Sequence, residues 1–139
     1  MSVIQVDIVS AESSIYSGSA TMVFAPAQQG EIGIAPRHAP LLTRLKPGEV
    51  RVQTPEDEEL EFFISGGILE IQPHLVTVLA DTAMRAKDID EAAALKAKQR
   101  AEEALDSAET EMDIARAQAE VAEMVARLRF IENVRKRKK

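Results

Sequence analysis

The sequence predicts an N-terminal antiparallel β-sandwich or barrel followed by a C-terminal antiparallel hairpin of two α-helices. Before residue 86, apolar residues recur mostly at every second position between closely spaced turn-forming residues, which is typical of short antiparallel strands. After residue 88, Ala, Glu, Lys and Leu dominate and apolar residues recur at helical spacing. We therefore predict two domains, residues 1–85 and residues 86–139.

Several period-two segments are predicted as strands, with no helix between them. Turn-forming residues separate these segments, and the clearest turns are Lys46-Pro47-Gly48 and the glycine pair Gly66-Gly67. The predicted strand faces and runs are Ile4/Val6/Ile8, Ala20/Met22/Phe24, Glu49–Gln53, Leu60–Ile64, Ile68–Ile71 and Leu75–Leu79. Many short strands with regular turns favour a sandwich or barrel, and the pattern leaves the strand order open.

Two helices are predicted from their capping residues and their apolar seams. We expect Asp88, with Glu91 three residues later, to cap the first helix, and Thr110 with Asp113 to cap the second. The seam of the first helix is predicted to be Ala94, Ala97, Ala101, Ala104 and Ala108. The seam of the second is predicted to be Ile114, Ala117, Val121, Met124, Leu128 and Ile131. Because burying one methyl group contributes only about 0.8 kcal/mol, we expect a weakly held hairpin that a competing surface can open.

Charge is distributed unevenly along the chain. Residues 1–85 hold 5 Lys or Arg against 11 Asp or Glu, which accounts for the whole formal net charge of −6. Residues 127–139 are basic, although the helix that contains Arg127 and Arg129 is neutral to acidic earlier in the sequence. Two interpretations remain open: a frayed, solubilising terminus, or a helix that binds an acidic partner.

The residues offer little for catalysis or for a cofactor. The chain contains no cysteine, which excludes disulfides and thiol chemistry. His38 and His74 lack the spacing of metal ligands, and no phosphate-binding glycine loop precedes a helix. We therefore predict a non-catalytic chain without metal or cofactor. His38 lies in the Pro-rich loop Ala35–Pro40, which suits a contact site, whereas His74 is predicted at a hairpin tip.

Membrane insertion and nucleic-acid binding are also disfavoured. No apolar run is long enough to span a bilayer, and the N-terminus lacks the features of a secretory signal. With no Trp and one Tyr, the chain lacks aromatic platforms on which bases stack.

Several segments then resemble one family, in the same order along the chain. They are Gly30–Thr43 with Lys46-Pro47-Gly48, Ser65–Glu70, Val76–Ala83 and Asp88–Ala92. In combination these segments closely resemble the epsilon subunits of bacterial F-type ATP synthases, and the similarity runs the length of the chain.

The resemblance implies a rotor subunit without catalytic activity in a hetero-oligomeric complex. Its sandwich would sit at the foot of the central stalk and bind the gamma subunit and the c-subunit ring. Its hairpin would be compact in one state; in the other it would extend along gamma into the head of catalytic alpha and beta subunits and restrain ATP hydrolysis. The implied location is peripheral, on the cytoplasmic face of the bacterial inner membrane.

The resemblance also assigns roles to residues. The contacts to gamma and the c ring would involve Ser10, Glu31, His38, Ala39, Pro40, Leu41 and Leu42. The inhibitory contacts to the beta subunits would be Arg127, Arg129 and Arg135. Ile89 and Asp90 match the start of an ATP-binding pattern found in some relatives, but Ala93 stands where that pattern has arginine. A guanidinium that would pair with phosphate is missing, so we predict weak or absent ATP binding.

Other functions fit the residues less well. A nucleotide-sensing module would need the missing arginine, and nucleic-acid binding through the basic tail would sit poorly with the acidic sandwich. A small hydrolase would need a titratable pair in a pocket, which the sequence does not suggest. A purely structural rotor module without inhibitory action remains an alternative.

Overall fold

The computed structural model describes residues 2–137, apart from the side chain of Lys87. These residues form ten strands, a short 3-10 turn at Ala86–Asp88 and two helices. The strands are β1 (Ile4–Ser10), β2 (Ser14–Ala20), β3 (Met22–Ala27), β4 (Gly30–Ile34), β5 (Leu41–Leu45), β6 (Gly48–Gln53), β7 (Glu59–Ile64), β8 (Gly67–Ile71), β9 (Leu75–Ala80) and β10 (Ala83–Arg85). The helices are α1 (Glu91–Ser107) and α2 (Glu111–Arg137). The predicted fold class, a β-sandwich followed by two helices, is confirmed.

The chain divides into two compact units between Lys87 and Asp88. In the first unit, the strands follow the order β10-β7-β6-β3-β5-β8-β9-β1-β2, and β4 pairs with β3. The pairing between β3 and β5 is limited to Ala27 and Leu45, so this point divides the strands into two layers. One layer holds β10, β7, β6, β3 and β4, and the other holds β5, β8, β9, β1 and β2. The paired strands of the described region are antiparallel except for β1 and β9, which run parallel. The sequence pattern left this strand order open.

The core of the sandwich follows the period-two pattern that predicted it. Ile4, Val6 and Ile8 all point inward from β1 and are buried, as expected. The predicted face Ala20/Met22/Phe24 is wrong, because the chain turns at Thr21 and two separate strands meet there. The turn resets the alternation, so Val23 and Ala25 enter the core instead. The buried cluster comprises Ile4, Val6, Ile8, Ala20, Val23, Ala25, Ile34, Leu45, Val50, Val52, Phe62, Ile64, Leu69, Ile71, Val76, Val78 and Ala80.

Gly66 precedes β8 and Gly67 begins it, and both have a conformation that other residues rarely adopt. Gly66 has φ +121° and Gly67 has φ +147°. A Cβ atom on Gly67 would lie 2.1 Å from the carbonyl oxygen of Leu79 on the neighbouring strand. The predicted bend at this pair is therefore confirmed, and Gly67 is also required for the close approach of β8 to β9.

The second unit is a helical hairpin whose first cap differs from the prediction. Asp90 caps α1: its Oδ1 accepts hydrogen bonds from Ala92 N at 3.0 Å and Ala93 N at 3.2 Å. The prediction that Asp88 is the cap is wrong, because the 3-10 turn includes Asp88 and delays the helix. Thr110 is confirmed as a capping residue for α2, since its Oγ1 accepts a hydrogen bond from Asp113 N at 3.1 Å.

The seam of the hairpin is thin, and it differs in part from the prediction. The prediction that Ala104 belongs to the seam of α1 is wrong, because this residue is exposed. Phe130 and Val134 are buried, although they fall outside the predicted 3-4 rhythm of α2. The buried residues of the two helices are Ala94, Ala101, Ala117, Met124, Phe130 and Val134.

The helices run antiparallel and extend through most of the basic segment. Glu91, at the start of α1, forms an ion pair with Arg135 near the end of α2, which confirms the antiparallel arrangement. The last turn of α2 holds Arg135, Lys136 and Arg137, where positive charge stabilises the helix end. The predicted basic tail is thus helical through Arg137, and Lys138 and Lys139 lie outside the described residues.

Candidate functional site

An exposed apolar surface lies on the outer face of β5, β8, β9 and β1. Leu42 is 68% exposed, Leu79 50% and Ile68 43%. The strand register places Ile68, Leu79 and Val9 in one row across the sheet, because Ile68 lies opposite Leu79 and Leu79 lies opposite Val9. Leu42 lies diagonal to Ile68, two positions along the neighbouring strand. Large apolar side chains grouped on a surface mark interaction sites. We call Val9, Leu42, Ile68 and Leu79 the apolar face.

Polar residues lie beside and among the members of this apolar face. Arg44 lies opposite Ile68, and Glu70 lies opposite Leu42. Further along the same sheet, Asp7 Oδ1 accepts hydrogen bonds from Ser17 Oγ at 2.8 Å and from Gln5 Nε2 at 3.2 Å. An apolar centre with a polar rim is the usual composition of a protein–protein interface.

The Pro-rich loop leads directly into the apolar face. Arg37 has φ +66° and its backbone N–H donates to the carbonyl oxygen of Pro73 at 3.0 Å. His38 is half-buried, its Nδ1 lies 2.7 Å from the carbonyl oxygen of Ala39, and its backbone N–H donates to Ala35 at 3.2 Å. These bonds fix the loop, so the exposed residues Ala39 and Pro40 hold a defined position before Leu41 and Leu42.

The residues predicted to contact gamma and the c ring therefore fall in three places. Residues 38–42 are contiguous and adjoin the apolar face. Ser10 lies opposite Ala80, four ladder positions from the row that contains Leu41, which is about 13 Å along the strands. Glu31 lies on β4, where Arg51 Nη2 donates to its Oε1 at 3.0 Å.

Sequence reasoning missed three of the four residues of the apolar face. Ile68 and Leu79 were predicted as strand residues within segments that resemble the family, without a role in a contact, and Val9 was not singled out. A signal was present, because Ile68-Leu69 and Val78-Leu79 place apolar residues on both faces of their strands. Such a run indicates a strand whose outer face is also covered by a partner.

The three arginines predicted to contact beta subunits have different surroundings in the hairpin. Arg127 is half-buried, whereas Arg129 and Arg135 are exposed. At 100° per residue, Arg127 and Arg129 lie on opposite sides of α2. Arg135 is paired with Glu91 of the other helix. In the compact hairpin, these side chains do not form a single cationic face.

The residual ATP-binding pattern has a structural explanation. The carboxylate of Asp90 is occupied in capping α1, and Ala93 contributes only a backbone N–H to that cap. Helix capping alone is sufficient to account for an aspartate at this position.

Residues 2–137 contain neither a metal-binding cluster nor a membrane-spanning helix. In residues 2–137, no group of three or more His, Cys, Asp or Glu side chains is placed to hold a metal ion. Within the same range, no helix is long and apolar enough to cross a membrane. His74 is exposed in the turn between β8 and β9, as predicted.

Comparison with known proteins matches both units to a single family. Residues 3–86 match the beta-sandwich domain of the ATP synthase delta/epsilon chain, and residues 87–132 match its long alpha-helix domain. The ATP synthase epsilon chain of Nitrosococcus oceani is 67% identical and covers 95% of this chain and 94% of its own length. That of Halorhodospira halophila is 64% identical and covers 100% of this chain and 99% of its own length.

A solved structure has the same fold at much lower sequence identity. It is a chain in the mitochondrial ATP synthase of Euglena gracilis, in a complex described as OSCP, F1 and c-ring. The two chains superpose with a TM-score of 0.80 at 18% identity, over 91% of this chain and 79% of that chain.

Proposed function

This chain belongs to the ATP synthase delta/epsilon chain family, and we propose that it is the epsilon subunit of a bacterial rotary ATP synthase. In this role it catalyses nothing itself. It joins the gamma subunit to the c-subunit ring within the central stalk, and its helices restrain ATP hydrolysis by the catalytic alpha and beta subunits. Through this complex it is held on the cytoplasmic face of the inner membrane without entering the bilayer.

The apolar face is the observation that supports docking to gamma. Leu42, Ile68 and Leu79 are each at least 43% exposed and lie on adjacent strands. Covering side chains of this size contributes about 1 kcal/mol or more each. A binding partner that remains attached during rotation supplies such cover, and the polar rim of Arg44 and Glu70 fixes its orientation.

The fixed loop and Glu31 support a second contact, with the c ring. Ala39 and Pro40 are exposed, and the surrounding backbone hydrogen bonds hold them in place. Glu31 is exposed at the start of β4. Preformed contact groups of this kind bind without a large ordering cost, which suits a joint that transmits torque.

The thin seam supports a hairpin that opens. Of the described residues, two are buried on α1, both of them alanines, and four are buried on α2. In the extended state, Arg127, Arg129 and Arg135 would meet acidic surfaces of the beta subunits and block rotation in the direction of hydrolysis. Arg135 must first leave Glu91, so closure of the hairpin and inhibition compete for the same cation.

Truncation after Arg85 tests the regulatory role. Arg85 is retained because it ends β10, which pairs with β7. In addition, Nη2 of Arg85 donates a hydrogen bond to the carbonyl oxygen of Ile15 at 3.1 Å. We expect the truncated chain to assemble and preserve proton coupling, while ATP hydrolysis rises. Unchanged hydrolysis would leave a purely structural rotor subunit, and lost assembly would contradict docking through the sandwich.

Neutralising the three arginines tests the electrostatic part of the mechanism. Replacing Arg127, Arg129 and Arg135 with Gln should give part of the rise in hydrolysis, and high salt should give a similar effect. The matched control replaces Lys96, Lys98 and Arg100 of α1 with Gln, which removes the same charge from the other helix. An equal rise in both variants would mean that net charge, rather than these positions, controls hydrolysis.

Calorimetry tests the expected lack of nucleotide binding. Because Ala93 replaces the phosphate-pairing arginine and Asp90 is engaged in the helix cap, we expect weak or absent ATP binding to the isolated chain. Micromolar affinity would contradict this expectation and favour a nucleotide-sensing role.

A further inference from the structure

Arg51 is the centre of a charged cluster on the outer face of the other layer of the sandwich. It lies on β6, and its guanidinium contacts two carboxylates: Nη2 is 3.0 Å from Glu31 Oε1, and Nε is 3.2 Å from Glu49 Oε1. The side chain of Arg51 is 21% exposed and that of Glu49 is 15% exposed, whereas that of Glu31 is 55% exposed. Two mostly covered groups thus hold a third that faces outward.

The strands position this cluster through an aromatic ring. Phe24 on β3 lies opposite Arg51 on one side and opposite Gly33 of β4 on the other. The Arg51 guanidinium lies 4.4 Å from the centroid of the Phe24 ring. A Cβ atom on Gly33 would approach the Phe24 ring to 3.3 Å, so glycine leaves the ring room beside β4. Arg51 therefore lies over Phe24 and reaches β4 in a fixed geometry.

A fixed arginine restricts the glutamate that it holds. A free Glu side chain loses much rotamer freedom when a partner binds it. Glu31 is already held by one oxygen, and the planar guanidinium that holds it is fixed by Glu49 and Phe24. The exposed carboxylate is therefore preorganised for a partner that offers N–H donors or a positive charge.

We propose that Arg51 is a positioning residue, which orients Glu31 for its contact with a surface of the c ring that offers N–H donors or positive charge. This proposal rests on the proposed function, because it assumes that Glu31 meets the ring. It adds that binding at Glu31 depends on a residue that lies mostly beneath the surface. Glu49 and Phe24 act in the same way, through Arg51.

Binding experiments with the full chain test the proposal. The chain is titrated into ATP synthase stripped of this subunit, and separately into the soluble alpha-beta-gamma part, which lacks the ring. We expect Glu31→Gln and Arg51→Met each to weaken binding to the whole enzyme about threefold to tenfold, and the double variant to be no weaker than either one. Binding to the soluble part should not change. Lys46→Met, which removes a positive charge from an exposed turn of the same unit, is the control.

A conservative variant separates position from charge. Arg51→Lys retains the positive charge but lacks the planar fork that contacts both carboxylates. We expect it to bind nearly as weakly as Arg51→Met, with an unchanged thermal unfolding midpoint. Full recovery of binding by lysine would show that charge alone matters and would overturn the positioning role.

The possible failures are distinguishable. If Glu31→Gln binds the whole enzyme normally, the proposed ring contact of Glu31 is wrong. If Glu31→Gln weakens binding but Arg51→Met and Arg51→Lys do not, the contact stands and the positioning role is wrong. If Arg51→Met fails to fold, Arg51→Lys and Phe24→Leu provide the same comparison with smaller changes.

Discussion

The sandwich and the hairpin are each stabilised internally, but by different amounts of buried apolar surface. In the sandwich, branched aliphatic side chains and Phe62 from strands of both layers are almost completely buried and form one continuous cluster. In the hairpin, the buried positions of α1 are Ala94 and Ala101, and those of α2 are few and widely spaced. Because stabilisation follows the apolar area buried, the sandwich is suited to be a rigid scaffold and the hairpin to rearrange.

The largest expected effect is the loss of an aromatic ring from the sandwich core. Phe62 is buried and its ring centroid lies 5.4 Å from that of Tyr16. Phe62→Ala should lower the free energy of unfolding by about 3–5 kcal/mol, measured by urea denaturation. The control is Leu95→Ala on α1, where the side chain is 47% exposed and the change should be within about 0.5 kcal/mol. Similar losses in both variants would contradict the contrast between the two units.

A backbone contact in the sandwich should be nearly as sensitive. Gly67→Ala would place a methyl group against the carbonyl oxygen of Leu79 and force a residue into φ +147°. Gly30→Ala would force a similar φ, +132°, but with no atom within 4 Å of the new methyl. Strain alone costs about 1–3 kcal/mol, so Gly67→Ala should destabilise the chain clearly more than Gly30→Ala. Equal unfolding midpoints in urea would show that β8 moves away from β9 at little cost.

The same contrast explains which features the sequence could predict. Burial on one face imposes a period of two on a strand, so Ile4, Val6 and Ile8 were assigned correctly. The pattern failed at Thr21, where a sharp turn joins two strands without Gly or Pro to mark it. It also gave no strand order, because the parallel pairing of β1 with β9 joins residues that are far apart in sequence.

The site could be predicted only where family resemblance or local pattern was informative. Leu42 was predicted from the resemblance, but Ile68 and Leu79 join it on one face only through the register of β5, β8 and β9. Arg51 was not predicted at all, since its contact with Glu31 crosses β3 and joins residues on different strands. In the hairpin, the 3-10 turn moved the cap from Asp88 to Asp90, a local change that propensity does not detect.

A smaller effect is expected from the ion pair that links the ends of the hairpin. The side chain of Glu91 is 49% exposed and that of Arg135 is 58% exposed, so solvent screens their attraction and the pair contributes about 0.2–1 kcal/mol. Glu91→Gln should therefore increase the open fraction of the hairpin by up to about fivefold. Because the chain has no cysteine, labels at Ala92→Cys and Asn133→Cys can report the distance between the helix ends.

A double variant shows whether the pair itself is responsible. Glu91 also lies in the first turn of α1, where a negative charge stabilises the helix. If the ion pair closes the hairpin, Glu91→Gln should have little further effect in a chain that already carries Arg135→Gln. An undiminished effect in that background would assign the change to the helix end instead.

The smallest expected effect concerns Tyr16, which packs on the core beside Phe62. Burial raises the pKa of Tyr16 above 10.0, and nearby Glu56 and Glu58 raise this pKa further, although Arg85 acts in the opposite direction. The folded sandwich thus favours the neutral phenol: the stabilisation is complete below about pH 10 and is lost as the pH rises through the pKa of the folded chain. At neutral pH the phenol is protonated in both the folded and the unfolded chain, so small changes of pH there leave the free energy of unfolding unchanged. Above pH 10, the free energy of unfolding should fall more steeply in the native chain than in Tyr16→Phe.

This ionisation can be followed directly, because Tyr16 is the single tyrosine of the chain. The tyrosinate absorbance of the folded protein should rise at higher pH than that of the urea-unfolded protein. Glu56→Gln removes the larger of the two carboxylate contributions, so it should move the folded midpoint toward that of the unfolded chain. If the folded and unfolded midpoints coincide, the phenol is fully hydrated, and the sandwich is open to solvent at the edge where β2 packs on the core.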